Sequence, residues 1–425
     1  LAPVAAPDFS LRPISLTSSS SLVKLSAFRG KPVLLHFASS TDDLSKQDWF
    51  TFNQHSADWS AKGLQLISID FADAESRGAS NPVHYPFPVL HGTDDVAAIY
   101  DILFRYLFDR HRDIDLPTSF LVNPEGEIVK VYQGTVDPAH LDHDFGNIPR
   151  TAADRLARAL PYPGVAEITE FSRNYLSFGS VYFQRGYLDQ ALAAFQIASR
   201  DDPESAEAVY GMGSIYLEQK KNHQAQDYFE RALKLQASYP DTLANSWNNL
   251  GLIAAREGAF PEAIADFLQA LRLSPDHLIA MNNLGGAYRQ SRSWDDAQAI
   301  YERALALKPT DADANYGLGM VYAQKGDTTR TEEYLKRALT LKPAYPEALN
   351  NLGILYLRTQ RRDEAVATFQ ESIRVAPDFD QAYINLARVH AIEGNSDAAR
   401  AVLQELLKRH PDNPTARDLL SQLSK

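Results

Sequence analysis

The chain of 425 residues contains no cysteine. That absence removes disulfide bonds, thiolate metal sites and thiol nucleophiles together, without choosing a cellular compartment. Also missing is any apolar run near the ~20 residues that a membrane-spanning helix needs; the candidate Pro32 to Phe37 stops within a few residues. Positive charge is in deficit, 42 Lys and Arg against 54 Asp and Glu, and the net charge of −12 repels phosphate backbones and anionic lipid head groups. Nucleic acid and direct membrane insertion are therefore not expected. No glycine-rich phosphate loop occurs, and no serine sits in a nucleophile elbow. The cluster Asp137 to Gly146 places His140 and His143 beside Asp142 and Asp144 but lacks a third, distant ligand, so no metal and no cofactor is expected. Leu1 in place of methionine is expected of a processed chain or of a piece of a longer one, any export signal then lying outside it. A chain of this length exceeds one ordinary core, and two unlike parts are expected.

What the sequence does have is a period. From Gly179 the same position recurs at Gly213, Gly251, Gly285, Gly319, Gly353 and Ala387, at spacings of 34, 38, 34, 34, 34 and 34. Twelve residues after each marker stand Ala191, Ala225, Ala263, Ala297, Thr331, Ala365 and Ala399. Twenty-four after it stand Pro203, Ala237, Pro275, Pro309, Pro343, Pro377 and Pro411. A small residue lets two antiparallel helices approach closely, and Phe195, Phe229, Phe267, Tyr301 and Phe369 fill the space beside it. Proline suits the start of a helix and breaks its interior, so it closes each unit. Fragments such as "NNLGGAYRQSRSWDDAQAIYERALALKP" resemble the tetratricopeptide repeat, and the resemblance covers roughly Ser172 to Asn413. It implies helix pairs that stack into a solenoid, because only the neighbouring pair covers each apolar face. Pro414 to Leu423, with Ala416, Leu419, Leu420 and Leu423 at helical spacing, is expected to cap the array. The long interval carries four extra residues, about one helical turn, which predicts a longer first helix in the third repeat, beginning near Asp241.

The same resemblance implies that the first helix of each pair lines a concave wall holding an extended peptide or a partner helix. Two residues before the markers stand Asn249, Asn283, Asn351 and Asn385, interrupted by Gly317. One residue earlier stand Asn248, Asn282 and Asn350, with Tyr210 and Tyr316 in that place in other repeats. An amide offers both a donor and an acceptor, the chemistry that pairs with a peptide backbone whatever its side chains. The row is similar to the asparagine ladder of O-linked N-acetylglucosamine transferase repeats; the alternative is that these amides only tie adjacent helices together. Arg256, Arg289 and Arg358 lie about one turn further along the same helices, either as interface anchors or as solvated helix ends. A set of lysines and arginines converging on a terminal carboxylate, as a chaperone-binding clamp requires, cannot be assembled from these repeats.

Residues 1 to about 150 alternate strand and helix signals and predict a mixed α/β layer fold. A hairpin fits "DFSLRPISL" and "LVKLSAF", buried strands fit Pro32 to Phe37 and Leu64 to Phe71, and a further pair, "TSFLVN" and "GEIVKVY", flanks a turn at Asn123 to Gly126. In "YDILFRYLFDRHRDIDLP" a sheet-covering helix is expected, with Ile102, Leu103, Tyr106 and Leu107 inward and Arg105, Arg110, His111 and Arg112 at its charged end. "APDFSL", "FRGKPVLLHFASS" and "LPTSFLVNPEGEIVKVYQG" resemble the thioredoxin-like fold, in the redoxin branch of alkyl hydroperoxide reductases and extracytoplasmic thiol-disulfide proteins. That resemblance implies a cis peptide at Leu116–Pro117 and a reactive cysteine at the start of the helix after "VLLHF", where amides and the helix dipole lower a thiol pKa. This chain has Thr41, Asp42, Asp43, Leu44 and Ser45 there, so Thr41, Asp42, Ser45 and Pro117 mark a degenerate redox position. A carboxylate at that point caps the helix but does not exchange disulfides.

The sequence thus predicts two domains, an α/β thioredoxin-like domain followed by an all-α solenoid of seven helix-pair repeats and a capping helix. The expected boundaries are 1–136 for the redox-inactive domain, 137–171 for a helical linker, 172–413 for the repeats and 414–425 for the cap. The expected function is a non-enzymatic scaffold that binds a protein or peptide partner in the concave groove, with the α/β domain as a second docking module. Alternatives are an assembly factor or bound subunit of a larger extracytoplasmic or membrane-associated complex, and a thiol oxidoreductase or peroxidase only if cysteines had been removed by engineering. The order of modules is similar to that of long bacterial extracytoplasmic proteins and implies a periplasmic or secreted location, with the cytoplasm as alternative.

Overall fold

A computed structural model describes residues 4–14, 21–72, 85–107, 113–148 and 174–423. The chain forms two compact units, Leu1–Glu204 and Ser205–Lys425.

In the first unit, β1 (Val4–Ala5), β8 (Glu127–Gln133), β7 (Thr118–Val122), β4 (Val33–Ala38), β5 (Gln65–Asp70) and β6 (Val89–His91) form one sheet in that spatial order. β4, β5 and β6 are parallel, while β7, β8 and β1 continue antiparallel. The expected hairpin is a separate short ribbon of β2 (Ser10–Leu11) and β3 (Val23–Lys24). β4 is buried along its whole length, as a continuous apolar run in a central strand requires.

Alternation along β4 sends its side chains to two layers. Leu34 and Ala38 pack with Trp49, Phe52 and Trp59 of α1 (Asp43–Ala61), and the Phe37 ring meets Tyr100 of α2 (Asp94–Leu107) in a tilted pair with centroids 4.8 Å apart. Ile102 and Leu103 are buried as expected; the side chains of Tyr106 and Leu107, and residues Arg110 to Arg112, lie outside the described residues. Leu116–Pro117 is cis. α3 (Pro138–Gly146) belongs to this layer and not to a joint: Leu141 is fully buried in the core with Leu34 and Trp59, and Tyr132 Oη donates to Asp144 at 2.8 Å. The α/β layer therefore runs past the expected limit at residue 136; most of the expected linker lies outside the described residues. The first repeat, α4 (Tyr175–Gln184) and α5 (Leu188–Asp201), falls in the same compact unit, so the units divide after Glu204 and not near residue 171. Tyr182 of α4 is buried and its hydroxyl donates to the Ile99 carbonyl of α2 at 3.3 Å.

The second unit is a run of six helix pairs and a final helix. The first helices are α6 (Ala206–Glu218), α8 (Pro240–Arg256), α10 (Leu278–Gln290), α12 (Ala312–Lys325), α14 (Pro346–Arg358) and α16 (Asp380–Ile392). Their partners are α7 (Asn222–Ala232), α9 (Phe260–Leu273), α11 (Trp294–Leu307), α13 (Thr328–Leu341), α15 (Arg362–Val375) and α17 (Ser396–Arg409). α18 (Pro414–Gln422) follows, with Asn413 capping it through the Ala416 amide at 2.9 Å. α8 has 17 residues where α6 and α10 have 13, which places the four-residue insertion in the helix that the spacing indicated. First helices pack on one another at α6/α8, α8/α10, α10/α12 and α14/α16, and no two successive second helices pack to that extent. The array therefore bends with its first helices on the inner side.

Within the pairs a buried ring lies against every marker glycine except Gly319, which Leu335 faces. A Cβ on Gly251 would stand 2.7 Å from the Phe267 ring, and one on Gly285 2.5 Å from the Tyr301 ring. A Cβ on the adjacent Gly286 would meet nothing within 4 Å. Neighbouring substitutions are thus expected to act in opposite directions. Gly285→Ala overpacks the core and should lower stability by about 1–3 kcal/mol, whereas Gly286→Ala removes a mid-helix glycine and should raise it by up to about 1 kcal/mol. Denaturant unfolding of the two variants measures both signs, and equal effects would contradict the packing described.

Candidate functional site

α10 shows how the inner wall is built. Ala280, Met281, Leu284, Gly285 and Ala287 turn into the core, which leaves Ile279, Asn283, Gly286 and Arg289 on one stripe at three- and four-residue intervals. Ile279 is 63% exposed.

The amides predicted from the sequence come together as a connected row. Asn283 Nδ2 of α10 donates to Asn248 Oδ1 of α8 at 2.9 Å, and Asn385 Nδ2 of α16 donates to Asn350 Oδ1 of α14 at 2.9 Å. Asn351 Nδ2 donates to Tyr316 Oη of α12 and to the Glu347 carbonyl, both at 2.9 Å. Asn248 Nδ2 lies 3.4 Å from Asn249 Oδ1, and Asn282 Nδ2 donates to Asp311, the cap of α12, at 3.1 Å. Asn248 and Asn350 are buried and hold the row from behind; they are not open to a partner as the sequence suggested. Asn249, Asn283, Asn351 and Asn385 are half-buried, and each keeps one side of its amide without a hydrogen bond among the described residues: Nδ2 of Asn249 and Oδ1 of the other three.

Tyr210 is half-buried against the Phe229 ring at 5.7 Å, and Arg289 lies over the Tyr316 ring at 5.8 Å. Arg256 and Arg358 are exposed at the ends of α8 and α14. Sequence reasoning missed Ile279 and Ile392, which stand 63% and 69% exposed on first helices. The signal was a large apolar residue outside the repeat's core positions.

The degenerate redox position is a capped helix start. Asp42 Oδ2 accepts from the Ser45 amide at 2.7 Å, and Ser45 Oγ accepts from the Ser39 amide at 3.1 Å. The Ser45 amide holds the Asp42 carboxyl below its ordinary range, so it is a poor proton acceptor. Thr41 is exposed and bonds the Ser39 hydroxyl at 2.7 Å, while Pro117 is buried one residue before Thr118, which pairs with Phe37. This arrangement keeps an anion at the helix N-terminus. His140 and His143 on α3 are exposed, and among the described residues no group of three or more metal-ligating side chains forms.

Beneath the capped turn lies a cluster that the sequence did not announce. His36 Nδ1 bonds Ser119 Oγ at 2.8 Å and stands 4.0 Å from Asp48 Oδ2, while Asp48 Oδ1 accepts from the Val136 amide at 3.0 Å. All are buried, and His36 Nε2 and Asp48 Oδ2 lack hydrogen-bond partners. Burial disfavours both charged forms: it pushes His36 down to about 3 and Asp48 up to about 7. The raised Asp48 value contributes stability that is present below its unfolded value near 3.8 and is lost as pH climbs through about 7. The His36 shift has the opposite sign and acts between about 3 and 6.5, so it masks the Asp48 effect in the wild-type profile. Asp48→Asn, which keeps the shape of the neutral acid, should therefore gain on the wild type as pH rises from 4 to 8. The gain should grow by about 1.4 kcal/mol for each pH step of one between 3.8 and about 7. Urea unfolding of both proteins across that range measures the difference, and a constant or shrinking gain would contradict the burial of an ionisable Asp48.

The tetratricopeptide repeat family matches at residues 176–240, 242–310, 282–346 and 350–414, and the AhpC/TSA family at residues 4–131. The thiol-disulfide oxidoreductase ResA of Bacillus subtilis (strain 168) is 28% identical over 129 residues, 30% of this chain. The match spans 65% of that relative's length. ResA of Oceanobacillus iheyensis is 26% identical over 151 residues, which is 34% of this chain and 71% of the relative. Among solved structures, the Cut9–Hcn1 hetero-tetramer of the APC/C superposes with a TM-score of 0.51 at 21% identity, over 61% of this chain and 50% of that one, a likeness of fold alone. The chain is a tetratricopeptide repeat protein whose N-terminal part is an AhpC/TSA-type redoxin domain without a cysteine.

Proposed function

We propose that this protein is a scaffold that holds a partner polypeptide along the inner wall of its repeats, and that its redoxin domain docks without exchanging disulfides. One observation carries the reading. Asn249, Asn283, Asn351 and Asn385 are each fixed on one side by a hydrogen bond to a neighbouring side chain or carbonyl and open on the other. A pre-positioned amide loses little rotamer freedom when it meets a peptide group, so the row favours main-chain capture over side-chain readout. The open groups occur on α8, α10, α14 and α16, which suits an extended chain crossing several repeats. Silence of the redoxin domain rests on Asp42 and Ser45 at the position where its relatives' family carries thiols.

Copurification of the full chain from its native cells, followed by mass spectrometry, tests the groove. Asn249→Ala combined with Asn351→Ala removes two open amides, and at about 1 kcal/mol per lost hydrogen bond the partner's affinity should fall roughly thirtyfold. The melting temperature should change little. Undiminished recovery of the same partner, or turnover of insulin disulfides or peroxide by the purified chain, would overturn the proposal.

A further inference from the structure

The first helices of the repeats begin on side-chain caps of different kinds. Ser205, Asp311 and Asn413 cap α6, α12 and α18, each accepting from the amide three residues on. Short oxygen-bearing side chains are the usual caps, because they reach that amide without strain. α10 is capped instead by His277, which stands 34 residues before Asp311. Its Nδ1 accepts from the Ala280 amide at 3.2 Å, and its Nε2 lies 2.8 Å from Asn245 Oδ1 of α8. Among the described helices no other has a histidine cap.

These two bonds fix the protonation of the ring. A backbone N–H only donates, so Nδ1 must present a lone pair, and the single ring proton sits on Nε2, where it donates to Asn245. The neutral ring satisfies both partners. A second proton on Nδ1 removes the cap bond, sets one N–H against another and puts positive charge at the positive end of the helix dipole. α10 has no acidic residue in its first turn to absorb that charge. The bond to Asn245 survives protonation, so acid costs the start of α10 and not its contact with α8.

We infer that His277 is an acid-sensitive latch at the joint between the third and fourth repeats, whose protonation frees the first turn of α10 and with it the middle of the inner wall. Ile279 stands on that turn, and Asn283 follows one turn later. The charged groups on the elements around the ring are Asp241 of α8, Arg272 at the end of α9, Asp276 beside it, Arg303 of α11, which donates to the Pro275 carbonyl, and Asp311, the cap of α12. Burial holds the ring below its ordinary 6.5, against opposing contributions from its own backbone and from Asp241. A depressed histidine stabilises the fold above 6.5, and that contribution is lost as pH falls toward the folded value.

Hydrogen exchange of the free full chain at pH 7.5 and pH 5, corrected for the intrinsic pH dependence of exchange, tests the latch whatever occupies the wall. Protection of the Ala280 and Met281 amides should fall roughly three- to thirtyfold at the lower pH, the upper bound being that of a group with an ordinary pKa of 6.5. Ala208 and Val209, at the start of α6 behind the Ser205 cap, should keep theirs. His277→Asn, which caps without titrating, should make the α10 amides indifferent to pH, and His277→Ala should leave them poorly protected at both values. Unchanged wild-type protection, an equal loss at Ala208 and Val209, or a pH dependence that persists in His277→Asn overturns the inference.

Discussion

In most helix pairs of the second unit a buried aromatic ring packs against a glycine of the facing helix, and the geometry of the inner wall depends on that contact. Phe229, Phe267, Tyr301 and Phe369 occupy the volume that a Cβ on Gly213, Gly251, Gly285 and Gly353 would need. The ring fixes how closely the two helices approach, and this sets how far the first helix stands out on the inner side. Leu335 plays the same part against Gly319 more loosely, at 3.3 Å. Because four of the six pairs are set by the same kind of contact, the residues two before and one after the marker align from pair to pair. The asparagines then reach each other, as Asn283 reaches Asn248 and Asn385 reaches Asn350.

In the α/β unit the helix that follows β4 begins with a carboxylate where the redoxin family carries a thiol. A helix N-terminus stabilises whatever anion stands at it. With Asp42 there, the Ser45 amide and the dipole hold a carboxylate that neither exchanges disulfides nor readily accepts a proton. Behind it, burial disfavours the charged forms of both His36 and Asp48, holding the imidazole neutral and raising the carboxyl to about 7.

Much of this is legible in the sequence, and the reasons differ by element. The repeats are legible because a period of 34 residues places glycine, alanine and proline at fixed steric tasks, and even the four-residue insertion can be assigned to α8. The sheet is legible through "VLLHF" and "LQLISIDF", whose apolar runs are too short for helices; β6, three residues long, gives no such signal. α3 reads as a joint because its polar surface hides one decisive residue, the fully buried Leu141. Asn248 and Asn350 are indistinguishable from their neighbours in sequence, since one residue along a helix turns a side chain by about 100° and decides whether it faces the groove or the next helix. His36 and Asp48 meet only because α1 crosses β4, a tertiary relation with no local pattern. The turn after each first helix is half legible: Gly186, Gly258, Gly326 and Gly394 have positive φ, but so do Lys220, Arg292 and Gln360 in the alternate repeats.

The central claim is that another polypeptide occupies the inner wall and not the outer one. Hydroxyl-radical footprinting of the full chain, free and with its copurified partner, measures this most directly. The account predicts protection of Ile279, Met320 and Ile392 on the first helices, with Leu268, Leu273 and Leu307 on the second helices equally reactive in both states. Protection confined to the second helices, or none in the repeats at all, would contradict it.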